Sequence, residues 1–225
     1  SRADFRRYSA SRDMKVEFPG AHGFGFIRRV PLADEAAFVA RARQDDAPGF
    51  AIRQLQPHAG ERYVIQYFEP QAGNQQAIGL DIASEANCKA AADAAMRSGQ
   101  VQLTAPITLA QAMKAPSKSF LMLMPIYRDG MARDSEAQRV AATLGWSYAS
   151  ILMDEVMGAI RINPELTQFT LSDVSDPRKP VVFYASRAAA GAVIGSRSVT
   201  KTILGRTWQI EVRFQPAFLA GWHQN

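Results

Sequence analysis

The sequence predicts an α+β fold in which antiparallel sheets carry helices on their faces. Two observations point there. Strand-like runs recur along the chain, some alternating as in RTWQIEVRF (206–214) and one continuously apolar, SFLMLMPIY (119–127). The order strand, helix, several antiparallel strands also occurs twice, the second half reading as a smaller variation on the first. At 225 residues the chain is long enough for one large domain or two small ones with a real core.

The elements follow in order. Residues 1–17 hold Phe5, Tyr8 and Met14 among charged residues, predicting a helix with a thin apolar stripe and no N-cap, which Phe18-Pro19-Gly20 ends. In AHGFGFIRRV the glycines Gly20, Gly23 and Gly25 lack dinucleotide-binding spacing and follow no strand. They are read as permitting close backbone packing, with Phe24, Phe26 and Ile27 in the core. Residues 33–43 predict a short helix with acids at its start and arginines at its end, as the helix dipole favours.

Residues 49–52 and 62–68 predict strands, the second with Tyr63, Ile65 and Tyr67 on one face and Arg62, Val64, Gln66 and Phe68 on the other. The chain is then organised around residues 77–109. These read as a strand with Ile78, Leu80 and Ile82 towards the core and Asp81 facing away beside small residues. A helix capped by Ser84 and stopped by Gly99 follows, then a strand with Val101 and Leu103 pointing one way. A loop at 115–118 leads to the apolar run 119–127. The polar segment 128–138 predicts a domain joint and residues 148–160 a helix. Strands at 169–173 and 181–184 flank an Asp176-Pro177 turn, and 197–204 with 206–214 form a hairpin broken at Gly205.

Composition excludes several functions. The net charge is +5 and the pI near 9.6, but the basic residues are dispersed and no nucleic-acid reading motif occurs, so no nucleic-acid partner is expected. One cysteine, Cys88, excludes an internal disulfide. His22, His58 and His223 lie far apart without a second metal ligand at useful spacing, and neither a Gly-x-Ser-x-Gly elbow nor a phosphate-binding loop is present. No catalytic residue, metal or cofactor is expected. No signal peptide or membrane-spanning run is visible, and the first residue is Ser1, which reads as a fragment of something longer.

The ordered set GFGFIRRV (23–30), ERYVIQYFEP (61–70), GLDIASE (79–85), RSGQVQLTAPITL (97–109), SFLMLMPIY (119–127) and RTWQIEVRF (206–214) resembles the CHASE domain. That family is the extracytoplasmic sensor of bacterial receptor histidine kinases and diguanylate cyclases and of plant cytokinin receptors. The similarity covers nearly the whole chain and is most specific between Tyr63 and Tyr127.

The resemblance implies a long N-terminal helix (1–17) followed by two tandem PAS-like modules with antiparallel sheets. The membrane-distal, ligand-binding module spans 18–128 and the membrane-proximal one 129–225. It implies a periplasmic portion of an inner-membrane protein, tethered by flanking helices, non-enzymatic itself, with a kinase or cyclase output. A homodimer through the N-terminal helix is also implied, and the alternative function is a dimerising spacer without ligand.

In plant members an aspartate before the capped helix accepts hydrogen bonds from an adenine-type ligand, and a leucine of the next strand supports it. By their Leu-Asp and Leu-Thr-x-Pro contexts these correspond to Asp81 and Leu103. The expected ligand site is Asp81, Leu103, Thr104, Tyr63, Tyr67, Leu80, Met122 and Met124. Cys88 and Lys89 stand where relatives often carry arginine, so the ligand need not be a cytokinin.

Overall fold

A computed structural model describes residues 1–17, 20–108, 118–160, 163–187 and 193–222. The expectations for Phe18-Pro19, most of the 115–118 loop, Leu109 and His223 lie outside the described residues. Two sheets form an α+β fold. The larger has seven strands in the order β2-β4-β3-β1-β7-β6-β5, and the smaller has four in the order β10-β11-β8-β9.

In the larger sheet these are β1 (Ala21–Val30), β2 (Arg53–Gln54), β3 (Arg62–Glu69), β4 (Leu80–Asp81), β5 (Gln102–Leu103), β6 (Ser119–Tyr127) and β7 (Thr143–Leu152). All neighbours are antiparallel except β2 and β4. The smaller sheet, β8 (Thr167–Asp173), β9 (Val181–Ala185), β10 (Gly195–Ile203) and β11 (Arg206–Phe214), is antiparallel throughout. Its hairpin turns on Leu204 and Gly205, both at positive φ (46° and 82°), which matches strand twist in a two-residue loop.

Side chains on the sheet's two faces make separate cores. One face carries Ile27, Tyr63, Ile65, Phe68, Leu123 and Trp146 under α4 (Ala86–Ser98). The alanines Ala91, Ala92 and Ala95 let this helix lie close, and Trp146 Nε1 donates to the Ala92 carbonyl at 3.0 Å. On the other face Val30 and Val64 meet Phe38 and Ala42 of α3 (Glu35–Gln44). Further along that face Phe120 meets Phe183 and Trp208 of the smaller sheet, at 5.0 and 5.1 Å between ring centroids. Gly99 stops α4 in the left-handed conformation (φ 73°), the geometry a glycine adopts without a Cβ penalty.

Several expectations are corrected. The predicted long N-terminal helix is nine residues, α1 (Arg2–Ala10), followed by the one-turn α2 (Met14–Glu17). It is capped after all, because Ser1 Oγ accepts from the Asp4 N–H. Its stripe is docked: Phe5 stacks on Tyr67 at 5.4 Å and meets Phe24 edge-on at 5.6 Å.

Residues 148–160 are not one helix. They complete β7 and then form α6 (Met153–Gly158), because β7 is hydrogen-bonded between β1 and β6 and that pairing outweighs helix propensity. The joint expected at 128/129 falls in the connection from β6 through α5 (Glu136–Ala142) to β7, two neighbours of one sheet. Residues 49–52 form no strand and lead into the two-residue β2, and the strand expected over 77–82 shortens to β4. Glu85, rather than Ser84, caps α4 by accepting from the Cys88 N–H at 2.7 Å.

A β-bulge changes the faces of β3. Ile65 pairs with Ile27 and Tyr67 with Phe26, so Gln66 is the extra residue. Beyond it the alternation reverses: Phe68 joins Tyr63 and Ile65 under α4, while Tyr67 turns to the α1 side.

Candidate functional site

The site begins with two glycines. Gly23 and Gly25 of β1 present no side chain to the α4 face. A Cβ on Gly23 would stand 2.5 Å from the Phe68 ring, and one on Gly25 2.5 Å from the Tyr148 ring. Phe68 reaches in from β3 and Tyr148 from β7. The two rings stack at 5.6 Å and 25° across the glycine backbone.

This aromatic floor closes one side of a cavity of about 500 Å³. Ile65, Leu80, Ile82 and Leu121 wall it, and Glu85, Asn87, Cys88, Pro106, Thr108 and Lys118 stand around it. The volume is that of a small-ligand site, largely apolar with a few polar groups. A groove of about 680 Å³ beside Arg29 and Glu61 is larger but more open. The close Arg29–Glu61 ion pair occupies its wall.

The ionisable groups inside the chamber are held neutral. Burial pushes the Tyr148 phenol well up, and its hydroxyl has no hydrogen-bond partner among the described residues. Burial also pushes the Cys88 thiol well up, with the Glu85 carboxylate adding to the effect. Glu85 and Lys118 are the other ionisable side chains around the chamber. Such a wall can hold a flat apolar body, and it brings no nucleophile–base pair together. Among the described residues no group of three or more His, Cys, Asp or Glu could hold a metal.

Of the expected site residues, only Leu80 lines this chamber. Asp81 is wholly buried beside it and committed elsewhere. Its Oδ1 accepts from the Tyr63 and Ala83 N–H groups at 2.8 and 3.0 Å. Its Oδ2 lies 2.7 Å from His58 Nε2 and 3.3 Å from Gln54 Nε2. Those four contacts occupy a carboxylate's acceptor positions, so the open space expected beside Asp81 is filled by protein.

Asp81 instead positions the wall. Ser84 Oγ donates to the Asp81 carbonyl and accepts from the Leu55 N–H at 2.9 Å, fixing Leu55 at the chamber.

The other expected residues are dispersed. Tyr63 packs on Trp146 at 4.4 Å and donates to Asp93 at 2.7 Å. Thr104 is fully buried, its Oγ1 accepting from the Leu121 N–H at 3.1 Å. Leu103 and Met122 belong to the core shared with the smaller sheet, on the opposite face. Tyr67 donates to Asp45 at 2.8 Å under α1, and Met122 and Met124 border a cleft of about 230 Å³ against Phe5 and Tyr8.

Sequence reasoning missed Phe68 and Tyr148. The available signal was the Gly23-x-Gly25 pair, which leaves space on one face of β1 for rings from its neighbours.

The chamber lies on the larger of the two sheets of this α+β fold. The model of the CHASE domain family matches residues 1–184 of the 225, and the chain belongs to that family. CHASE domains are extracellular sensor domains of receptor kinases and cyclases, and are not catalytic. No curated protein matches the sequence. Among the described residues no helix is long and apolar enough to cross a membrane.

Proposed function

We propose that this chain is the periplasmic ligand-sensing part of a membrane-tethered receptor with a histidine kinase or diguanylate cyclase output. A small molecule with a flat, largely apolar body occupies the chamber over Phe68 and Tyr148. The observation that carries this reading is the 500 Å³ apolar chamber on a two-ring floor. Membership of a sensor family supports it. In this reading the two sheets are the cores of two PAS-like modules. Their seam lies past Leu152, where β7 leaves the larger sheet. The receptor pairs with a second copy through its N-terminal helix.

A route out of the chamber runs through β6. Leu121 faces the ligand space, and its neighbour Phe120 faces Phe183 and Trp208 of the smaller sheet. A ligand that binds one arrangement of that aromatic cluster more tightly than another shifts the population between them.

Thermal melts against purines, amino acids, carboxylates and flat heteroaromatic compounds test the reading. A binder at a hundredfold excess over its Kd stabilises by about 2.7 kcal/mol. Leu80→Trp, which fills the chamber, should abolish the shift. A library without any stabilising compound would favour a dimerising spacer instead.

A further inference from the structure

The face of the larger sheet opposite α4 carries a second site. Arg28 of β1 and Arg41 of α3, with Phe38, Asp45, Gln66 and Tyr67, line a cleft of about 250 Å³. Neither guanidinium makes an ion pair or hydrogen bond among the described residues. Elsewhere Arg29 pairs with Glu61, Arg62 with Glu35 and Arg206 with Asp173.

The carboxylates nearby are engaged elsewhere. Asp45 accepts from the Arg2 N–H at 3.0 and 2.9 Å and from the Tyr67 hydroxyl at 2.8 Å. Asp46 pairs with Arg6 at 3.3 Å, and Glu35 is held by Arg62.

The cations also disfavour one another. Arg28 is half-buried, and its guanidinium is held below the usual range first by burial, then by the charges of Arg128 and Arg41. Arg128 offers no relief, because its own guanidinium donates to the Ala141 and Thr143 carbonyls. Two guanidinium groups line one cleft with Phe38 and Tyr67, and the carboxylate there, Asp45, already accepts from Arg2 and Tyr67; planar guanidinium forks suit a bidentate oxyanion.

We propose that this cleft binds a phosphate-type dianion, free or as a phosphomonoester, between the guanidinium groups of Arg28 and Arg41. The hydroxyl of Tyr67 and the amide of Gln66 stand at its rim. The site is separate from the apolar chamber, which lies across the sheet, and does not depend on what that chamber binds.

Calorimetric titration of the 225-residue chain with inorganic phosphate, at constant ionic strength, tests it. The expected result is saturable one-to-one binding, weakened at least tenfold by Arg28→Gln or Arg41→Gln and unchanged by Arg197→Gln on exposed β10. Arg28→Lys, which keeps the charge without the planar fork, should fall between. If Arg28→Gln does not fold, Arg41→Gln on an exposed helix position decides.

Acetate should bind at least tenfold more weakly than phosphate. Glycerol 3-phosphate forms a third arm: tighter binding than inorganic phosphate assigns an ester, and equal binding assigns the free ion. Non-saturating heats, affinity retained in the Arg28→Gln/Arg41→Gln double variant, or acetate binding as tightly as phosphate would each overturn the proposal.

Discussion

Phe68 and Tyr148 stack at 5.6 Å from opposite sides of β1, and the bare backbone of Gly23 and Gly25 is what they lie on. The floor of the chamber is therefore made by four residues from three adjacent strands. Removing either glycine removes the space a ring occupies.

Gly25→Ala is the sharpest test of that floor. Its Cβ would meet the Tyr67 carbonyl at 2.2 Å as well as the Tyr148 ring, and backbone cannot move aside as a flexible side chain does. Destabilisation of about 1–3 kcal/mol is expected in urea unfolding. Gly49→Ala, where a Cβ meets nothing within 4 Å, should be close to neutral.

Asp81→Ala tests whether the carboxylate supports the fold. It strips the acceptor from the Tyr63 and Ala83 N–H groups, both buried, at about 1–3 kcal/mol for each donor left unpaired. A marked drop in the urea midpoint is expected without any ligand present. A variant as stable as the wild type that has lost only a ligand response would return Asp81 to direct binding.

Stability should fall at alkaline pH. Burial holds the Tyr63 and Tyr148 phenols well above the ordinary value, and burial followed by the Asp45 hydrogen bond pushes Tyr67 up to about 12. Unfolded tyrosines ionise near pH 10. Above that pH the unfolded chain has released protons that the folded chain retains, so unfolding gains. The contribution is complete below about pH 10, and Tyr67's share is exhausted above about pH 12. Urea midpoints across this range check the slope, and Tyr67→Phe should flatten it.

Phe183→Ala probes the joint between the sheets. Phe183 is buried against Phe120 and Trp208, and its truncation should cost about 3–5 kcal/mol. A near-ultraviolet circular dichroism change at Trp208 should accompany the loss. If the joint carries the signal, a ligand-induced change at Trp208 disappears even where binding survives.

Cys88 reports on the chamber. Buried, and with its thiol pushed up, it should react with maleimide far more slowly than in the urea-unfolded chain. A compound in the chamber should slow labelling further, whereas one bound near Arg28 should not.

The sequence by itself determined the α+β class, the runs that became β3, β6 and the β10–β11 hairpin, and the α4 unit with its Gly99 stop. These rest on local physics: alternation, continuous apolarity and a glycine free to adopt positive φ. The CHASE relationship was legible too, from ordered motifs of which all but RTWQIEVRF (206–214) lie within the matched residues 1–184.

Tertiary structure alone decided the site. One extra residue, Gln66, exchanges Tyr67 for Phe68 on the inner face, and strict alternation cannot show a bulge. Tyr148 enters the floor because β7 is captured between β1 and β6, a pairing between residues more than a hundred positions apart. The Asp81 carboxylate is engaged within the protein because His58 and Gln54 fold back over it. Local sequence sets what an element is; which residues share a cavity depends on register and on partners distant in the chain.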